Sequence, residues 1–489
     1  MNVWIPISVA VMLSSLTAAE VFKYSNENIQ RDSLVDFGLS LIAPSEGSKA
    51  TIAGNIHFDQ PPDDQRPISV AVIGMKPTDI PRLQEAMGIK LSENRQPNFC
   101  CDSDLISAGK CTSADRDLLV FNPDLVEVFE SKRIDSGNSD FSFTFSTANT
   151  VFGMLVVSDC RFEKDGGVMA MSGQIVVQHS FGMLSPLDYP YLPFYSYMIG
   201  AYCLVALIWT YFNIKHRTQL MQVQQAISCV IALCCIEMFA WYSFYTSFNT
   251  SGIRQTGPFS LALITSSIRR AVSRMLVVAV SMGFGVSKPS LGDAKCRVLT
   301  AGLVYMTLEA MLQLKQHVWT NSRGSHATQG ALWLMAPVTL MDSAFYWWIF
   351  VSLSQTLEEL RIRRQPAKYA HMRSFAGILF ASLAVVTIFS IFRIYFVESL
   401  LQLKYWNWTF LLFDGFAQII YLSVLVGIAF LWRPGPNSRS IAYAEQVAQN
   451  DFDDEFDLEL KDNVRTPALV NKGAVSRFAI GEDDEDDLQ

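Results

Sequence analysis

Apolar residues follow two different patterns along this chain of 489 residues, and the change comes near residue 190. Beyond that point the sequence contains seven apolar runs, each long enough for an α-helix to cross a bilayer, which takes about 20 residues. The pattern therefore predicts a membrane protein with a seven-helix domain at residues 189–435. The predicted spans cover residues 192–212, 222–245, 259–286, 298–318, 331–353, 374–396 and 408–432.

The segment before the spans contains short runs of apolar and β-branched residues instead. These runs lie between clusters of Pro, Gly, Asp and Ser, which favour turns. We expect a β-sandwich over residues 20–188, with one short helix at residues 80–88. Such a domain could bind a ligand or a cargo protein, or it could only cap the membrane domain. The predicted strands cover residues 68–73, 141–145, 151–157 and 173–177.

Residues 1–19 have the features of a cleaved signal peptide. A short apolar stretch is followed by the small residues Thr17, Ala18 and Ala19, which suit a signal-peptidase site. The apolar stretch falls well short of the ~20 residues that a membrane anchor needs. The β-sandwich would then lie on the lumenal or extracellular side.

The distribution of charge predicts the same orientation. The loops that follow the odd-numbered spans are rich in Lys and Arg, whereas the loops that follow the even-numbered spans hold few basic residues. This asymmetry follows the positive-inside rule, so we expect the C-terminal tail, residues 436–489, in the cytoplasm.

The tail accounts for the acidity of the whole chain, whose net charge is −8. Its acidic clusters, at residues 451–460 and 481–488, contain isolated Phe and Leu residues but too little apolar mass for a core, so we expect disorder. The tail could bind cytoplasmic sorting adaptors, or it could only increase solubility, and the two hypotheses have similar weight. Because the acidity belongs to the tail, the net charge gives no information about a nucleic-acid or substrate partner. We expect no nucleic-acid partner.

Ionisable residues also lie inside the predicted spans. A charge that faces lipid is costly, so such residues normally face the interior of a bundle, a cavity or a pathway. They could pair as internal salt bridges that fix helix packing, line a polar cavity for ions, or hold an anionic lipid headgroup. The acids are Glu237, Glu309, Asp342 and Asp414, and the arginines are Arg269, Arg270, Arg274 and Arg393.

The cysteines separate into two groups. Cys100, Cys101, Cys111 and Cys160 precede the spans, where an oxidising compartment permits disulfides. Adjacent Cys100 and Cys101 are unsuited to bond each other, so each is expected to reach Cys111 or Cys160. The remaining cysteines lie in or beside apolar helices, and no Cys/His spacing predicts a metal site.

One modification motif is present, whereas motifs of catalysis are missing. Asn249 begins an Asn-Thr-Ser glycosylation sequon in the predicted lumenal loop after the second span. Motifs of hydrolases, metalloproteases and nucleotide-binding proteins are missing from the sequence, so we expect neither an enzyme nor a resident cofactor.

Several segments together resemble the lung seven-transmembrane family, also described as GOLD-domain seven-helix proteins, and most closely its transmembrane protein 87 branch. The carrying segments are FGMLS at 181–185, Glu237 with WYS at 241–243, IRRAVSR at 268–274, GFGVSKPSLG at 283–292, Asp342 with WWIF at 347–350, SQT at 354–356 and LWRP at 431–434. The most specific residues are Lys288, Pro289, Gly292, Trp432, Arg433 and Pro434.

The resemblance implies a Golgi or endosomal protein with a GOLD-like lumenal β-sandwich and a seven-helix bundle that holds a lipid-accessible cavity. It implies vesicle-mediated transport from endosomes to the Golgi, with cycling to the plasma membrane, in which a lumenal or membrane cargo protein is bound or chaperoned. A mechanically gated or regulated cation channel is the alternative, and a signalling receptor is a third hypothesis. Membrane lipid, including a bound phospholipid, is the small-molecule partner that the resemblance implies.

Overall fold

The computed structural model describes residues 21–30, 35–43, 49–59, 68–86, 99–116, 118–134, 140–158, 168–286, 292, 294–321, 326–398 and 405–435. Cys160, Lys288 and Pro289 lie outside the described residues, as do the predicted signal peptide and acidic tail.

The first part of the described chain forms a β-sandwich, as the sequence predicts. The predicted strands 68–73, 141–145, 151–157 and 173–177 are confirmed as β4, β6, β7 and β8. The described part of the predicted helix at 80–88 forms the end of a 3-10 turn, Pro77–Arg82, and one α-helical turn, Leu83–Ala86, and residues 87 and 88 lie outside the described residues. The strands are β1 Val21–Gln30, β2 Val35–Ile42, β3 Ala50–Asp59, β4 Ile68–Met75, β5 Val126–Ile134, β6 Asp140–Thr147, β7 Val151–Ser158 and β8 Val168–Gln178.

Two antiparallel four-stranded sheets share one core. The first sheet has the strand order β1-β8-β3-β6, and the second has the order β2-β7-β4-β5. Apolar side chains of both sheets meet between them, including Ile56 and Phe141 from the first sheet and Val72 and Leu155 from the second, all fully buried. This is the packing of a sandwich.

The outer faces of the two sheets differ. Strands β4 and β7 of the second sheet are buried at every position, because the segment around Cys100, Leu119 and Phe121 covers their outer face. Strand β6 of the first sheet instead alternates between exposed and mostly buried residues. In the described part of the chain, the outer face of the first sheet therefore remains open at β6.

The second part forms the helical bundle. Seven helices lie in the described part of this region, and they match the seven predicted spans. A π-helical turn, Leu411–Gly415, leads into the last helix. The helices are α1 Tyr191–Lys215, α2 Gln222–Ser251, α3 Thr256–Ser281, α4 Ala294–Asn321, α5 His326–Ile362, α6 Pro366–Glu398 and α7 Phe416–Leu431.

Length and hydropathy alone identify three of these helices as able to cross a membrane: Tyr191–Lys215, Gln222–Ser251 and Pro366–Phe396. Helices α3, α4 and α5 contain ionisable residues that lower the mean hydropathy, and α7 has only 16 residues. Helix α3 packs against three other helices, α2, α4 and α5.

A short strap, residues 181–184, joins the sandwich to the bundle at the C-terminal end of α2. Asn249 accepts hydrogen bonds from the backbone N–H of Met183 at its carbonyl, 3.0 Å, and of Leu184 at Oδ1, 3.1 Å. Its Nδ2 donates to the carbonyl of Phe181, 3.0 Å. Gly182 has φ +131°, and a Cβ there would lie 2.3 Å from Asn249 Oδ1, so the strap requires glycine.

Candidate functional site: the charge cluster around helix α3

The intramembrane charges converge on α3. This helix supplies three arginines, and each contacts an acid on a different neighbouring helix. Successive residues of an α-helix point about 100° apart, so Arg269 faces another direction than Arg270 and Arg274. The pairs are Arg269 with Glu237 of α2, Arg270 with Glu309 of α4, and Arg274 with Asp342 of α5.

The pair of Arg269 and Glu237 lies deepest in the bundle. The Glu237 side chain is 0% exposed and that of Arg269 is 5% exposed. Arg269 Nη2 donates to Glu237 Oε1 at 3.1 Å, and the guanidinium carbon lies 4.3 Å from the ring centroid of Tyr421. A buried charge is tolerated only with such compensation, so α2, α3 and α7 are held together at this point.

The second pair is buried on one side only. Arg270 Nη1 donates to Glu309 Oε1, and Gln313 Nε2 donates to the same oxygen at 2.8 Å. The Glu309 side chain is 4% exposed, whereas that of Arg270 is 40% exposed. The guanidinium of Arg270 therefore keeps an open surface on the outside of its ion pair.

The third pair is the most accessible at its carboxylate. Arg274 Nη2 lies 2.7 Å from Asp342 Oδ1, with side chains that are 24% and 29% exposed. The guanidinium carbon of Arg274 lies 4.3 Å from the ring centroid of Tyr305 on α4. One arginine thus links α3 to both α4 and α5.

Hydroxyl groups add further links to α3. Ser273 Oγ lies 2.6 Å from Tyr421 Oη on α7, and Thr356 Oγ1 on α5 donates to the carbonyl of Ser281 at 2.8 Å. Tyr305 and Tyr421 were not predicted from the sequence, since a tyrosine in an apolar run carries no signal of its own. Their roles depend on how each helix is rotated against its neighbours.

Asp414 and Arg393 lie apart from these pairs. Asp414, in the π-helical turn before α7, accepts a hydrogen bond at Oδ2 from the Tyr191 hydroxyl at 2.6 Å. Arg393 lies on an exposed stretch of α6. The predicted set of eight charges is therefore divided, with six in ion pairs around α3 and two elsewhere.

Two buried titratable groups lie between the sandwich and α1, outside the helices. Burial raises the pKa of Asp188 to about 6, against the opposing effect of Arg254, and the charge of Asp414 adds to the rise. Burial also lowers the pKa of His179 to about 4, although a backbone hydrogen bond with Leu41 opposes that shift. Near neutral pH, His179 is therefore uncharged.

The predicted disulfide and glycosylation residues have separate outcomes. Cys101 is bonded to Cys111, one of the pairings that the sequence leaves open, and Cys100 is also disulfide-bonded. Asn249 does not lie in a loop, as predicted, but in the last turn of α2. The amide nitrogen that a glycan would need already donates to Phe181.

The family motif residues lie at the opposite end of the bundle from the strap. Trp432 is 4% exposed and packs edge-on against His371 and Phe375 of α6, while its carbonyl accepts from Gln224 Nε2 of α2 at 3.1 Å. Arg433 lies over the rings of Phe212 and Phe430. Pro434 is buried, and Gly292 has φ +52°. The motif at 431–434 thus joins α7 to its neighbours.

The charge cluster is suited to hold helices together. Each acid of the three pairs contacts a guanidinium, which compensates its charge. Among the residues that the structure describes, His, Cys, Asp and Glu form no group of three that could hold a metal ion.

Comparison with known proteins decides the family. Residues 190–439, about half of the chain, match the family model described as GOST, seven transmembrane domain. The chain belongs to the GOST seven-transmembrane family. The matched region begins just before α1 and includes the whole of the charge cluster around α3, so these ion pairs lie within the GOST domain.

The curated relatives specify the branch of the GOST family. The chain is 30% identical to transmembrane protein 87A of Xenopus tropicalis over 59% of this chain and 52% of that protein. It is 27% identical to transmembrane protein 87B of Mus musculus, over 67% and 57%. An uncharacterized protein of Schizosaccharomyces pombe is 28% identical over 76% and 73%. The chain spans about half the length of the transmembrane protein 87 relatives it matches, and these relatives support the transmembrane protein 87 branch of the family.

Proposed function

We propose that this GOST-family protein is a non-enzymatic trafficking protein of Golgi and endosomal membranes, acting in vesicle-mediated transport from endosomes to the Golgi. It binds a lumenal or membrane cargo protein through the sandwich and the bundle, and it cycles to the plasma membrane. The observation that carries the proposal is the pairing of the charges on α3, which gives the bundle the character of a fixed support for the sandwich.

The same pairing argues against conduction through these acids. A cation pathway lined by carboxylates needs them to face water, as in the acidic rings of cation channels. Glu237 and Glu309 are almost completely buried, and both contact an arginine. The alternative of a mechanically gated or regulated cation channel therefore receives less support than the trafficking role. The signalling receptor, the third hypothesis, is supported only by the number of helices.

Membrane lipid is the small-molecule partner that the bundle suits. Many large apolar side chains of the helices are exposed, among them Leu207, Leu340 and Ile388 at about 70%. Hydrocarbon is the solvent that such a surface requires. The open surface of Arg270 would suit a phospholipid headgroup, because a guanidinium binds phosphate oxygens in pairs.

The orientation and the tail complete the proposal. The sandwich lies in the lumen, and the acidic tail lies in the cytoplasm, where sorting adaptors bind its clusters at residues 451–460 and 481–488. Apolar residues within an acidic disordered segment offer such adaptors both charge and anchoring contacts.

Deletion of residues 451–489 tests the trafficking role. We expect the truncated protein to leave the Golgi, as measured by immunofluorescence against Golgi and endosomal markers. A matched control keeps the composition of residues 451–489 but shuffles their order. If adaptors recognise the order of residues in the tail, the shuffled variant should also leave the Golgi. Golgi residence of both variants would contradict adaptor recognition and leave only a solubilising tail.

Planar-bilayer recording tests the channel alternative directly. The purified full chain should be electrically silent under tension and voltage. A cation current that falls in an Asp414→Asn variant would overturn the interpretation that the charges only hold helices together, because Asp414 is the predicted pathway acid that makes its hydrogen bond to a tyrosine instead of an arginine.

A further inference from the structure

The open face of the first sheet contains a groove of about 360 Å³. It crosses the neighbouring strands β8, β3 and β6, and its volume lies within the range of small-ligand sites. The side chains that line it are those of Ala53, Asn55, Ser142, Thr144, Gln174 and Val176.

Strand register explains which side chains line the groove. Successive side chains of a strand point to opposite faces, so the buried Ile52 and Ile56 of β3 face the core while Ala53 and Asn55 face outward. Ala53 lies on the central strand of the groove and has the smallest side chain there after glycine. Its neighbours across the strands are larger, which leaves a depression above its methyl group.

The lining residues form two cross-strand rows of different chemistry. In the first row, Ala53 pairs with Thr144 of β6 and Val176 of β8, which gives a mainly apolar strip. In the second row, Asn55 pairs with Ser142 and Gln174, which gives a line of carboxamides and a hydroxyl.

The polar groups of the groove are available to a ligand. Asn55, Ser142, Thr144 and Gln174 are exposed. In the described part of the chain, none of these side chains hydrogen-bonds to another protein group. The lining contains no Lys, Arg, Asp or Glu. The groove therefore offers uncharged donors and acceptors beside a small apolar strip.

A flat ring borders the polar row. His57, two positions beyond Asn55 on the same face of β3, has a side chain that is 50% exposed. Asp140 Oδ1 lies 2.7 Å from His57 Nδ1 and fixes the orientation of the imidazole. The ring lies about 7 Å farther along the strand and extends the surface that a linear ligand could cover.

We infer that this groove binds a neutral oligosaccharide, presented as the glycan of a lumenal glycoprotein cargo. A sugar ring carries C–H groups on its faces and hydroxyls around its rim, which match the apolar strip and the carboxamide row. The lining side chains are uncharged, which suits a neutral ligand, and Lys23 of β1, the register partner of Gln174, is the next residue of the polar row. A lipid tail would lack an extensive apolar wall. The inference rests on the proposed cargo-binding role and specifies what the sandwich recognises.

The test measures binding of oligomannose N-glycans to the purified full chain in lipid nanodiscs, by saturation-transfer NMR and by glycan microarray. Ala53→Trp fills the depression, and the double variant Asn55→Ala with Gln174→Ala removes both carboxamides. We expect each change to weaken binding at least tenfold. Lys132→Trp is the control, since Lys132 is exposed on β5 of the second sheet, away from the groove, and its binding should stay within twofold. Thermal unfolding of each variant verifies the fold.

The outcomes separate this inference from the proposed function. Absence of oligomannose binding by the wild-type protein, or binding that survives both groove changes, would overturn the glycan site. Neither result touches the trafficking role, which depends on the localisation of the tail variants. If the tail variants mislocalise and Ala53→Trp keeps Golgi residence but loses glycan binding, both proposals are supported.

Discussion

Helices α3 and α6 differ in how their side chains are accommodated: α3 buries polar side chains against other helices, whereas α6 exposes apolar side chains to the surroundings of the bundle. Helix α3 buries Thr265, Ser266, Ser267 and Arg269 and contacts three other helices. Helix α6 instead is mostly exposed along its apolar stretch, where large side chains such as Ile388 and Ile391 have no protein contact over most of their surface. Lipid accepts an apolar side chain without a protein partner, whereas a charge needs one. The polar helix therefore lies at the centre of the bundle and the apolar helix lies at its edge.

Removal of one buried acid should show this difference most strongly. Glu237→Gln leaves the guanidinium of Arg269 without its carboxylate in a fully buried position. We expect a loss of about 3–5 kcal/mol in the free energy of unfolding, because an uncompensated buried charge costs that much. Thermal unfolding in detergent, followed by size-exclusion chromatography, would measure it.

The matched control for this change lies on α6. Ile388→Ala truncates a side chain that is 69% exposed, so stability should change by no more than about 0.5 kcal/mol. Equal destabilisation by Glu237→Gln and Ile388→Ala would contradict the central role of α3. Glu237→Leu combined with Arg269→Met should recover stability, because apolar residues of similar volume can replace a buried pair.

Buried groups outside the membrane should respond to pH, with opposite signs. The raised pKa of Asp188 means that this group stabilises the fold below its unfolded pKa of 3.8, and the contribution is lost as pH rises through about 6. The lowered pKa of His179 means that its contribution is complete above 6.5 and is lost as pH falls through about 4. Each effect is on the order of 3 kcal/mol, and in the wild-type protein they offset each other.

Single substitutions should reveal each trend. Relative to the wild-type protein, Asp188→Asn should lower the melting temperature on acidification from pH 7 to pH 4.5, because only His179 then responds. His179→Gln should produce the reverse trend. Parallel melting curves for both variants across this pH range would disprove the assignment. The control is Ser146→Ala, an exposed residue of β6 without a titratable side chain, which should leave the pH profile unchanged.

The smallest effect is expected at the third ion pair. Arg274 and Asp342 are each about a quarter exposed, so a double-mutant cycle with Arg274→Gln and Asp342→Asn should give a coupling free energy of about 1 kcal/mol. A coupling free energy larger than that of Arg269 and Glu237 would show that the more buried ion pair is not the more strongly coupled one.

The sequence predicted the elements of this fold better than their contacts. Long apolar runs predicted all seven spans, including α3, because length outweighed the three arginines. Four strands, β1, β2, β3 and β5, were missed, because polar or charged residues interrupt their apolar runs. Three of them, β1, β2 and β5, are outer strands of their sheets, where fewer side chains face the core.

The candidate site was predicted as a set of residues but not as an arrangement. Arg270 and Arg274 lie four residues apart and therefore share a helix face, and they reach the consecutive helices α4 and α5. The partner of each arginine depends on helix rotation, which one sequence does not encode locally. The groove was also beyond sequence analysis, because Ala53, Thr144 and Val176 become neighbours only through the pairing of distant strands.

The strap gives the sandwich a mechanical connection to the interior of the bundle. Three hydrogen bonds attach residues 181–184 to Asn249, and the same helix carries Glu237 three turns deeper. A displacement of the sandwich would therefore act on α2 through the strap, and α2 contacts α3 through the ion pair of Glu237 and Arg269. Force on the outer domain would reach α2 at Asn249, and Glu237 on the same helix would pass it to the guanidinium of Arg269.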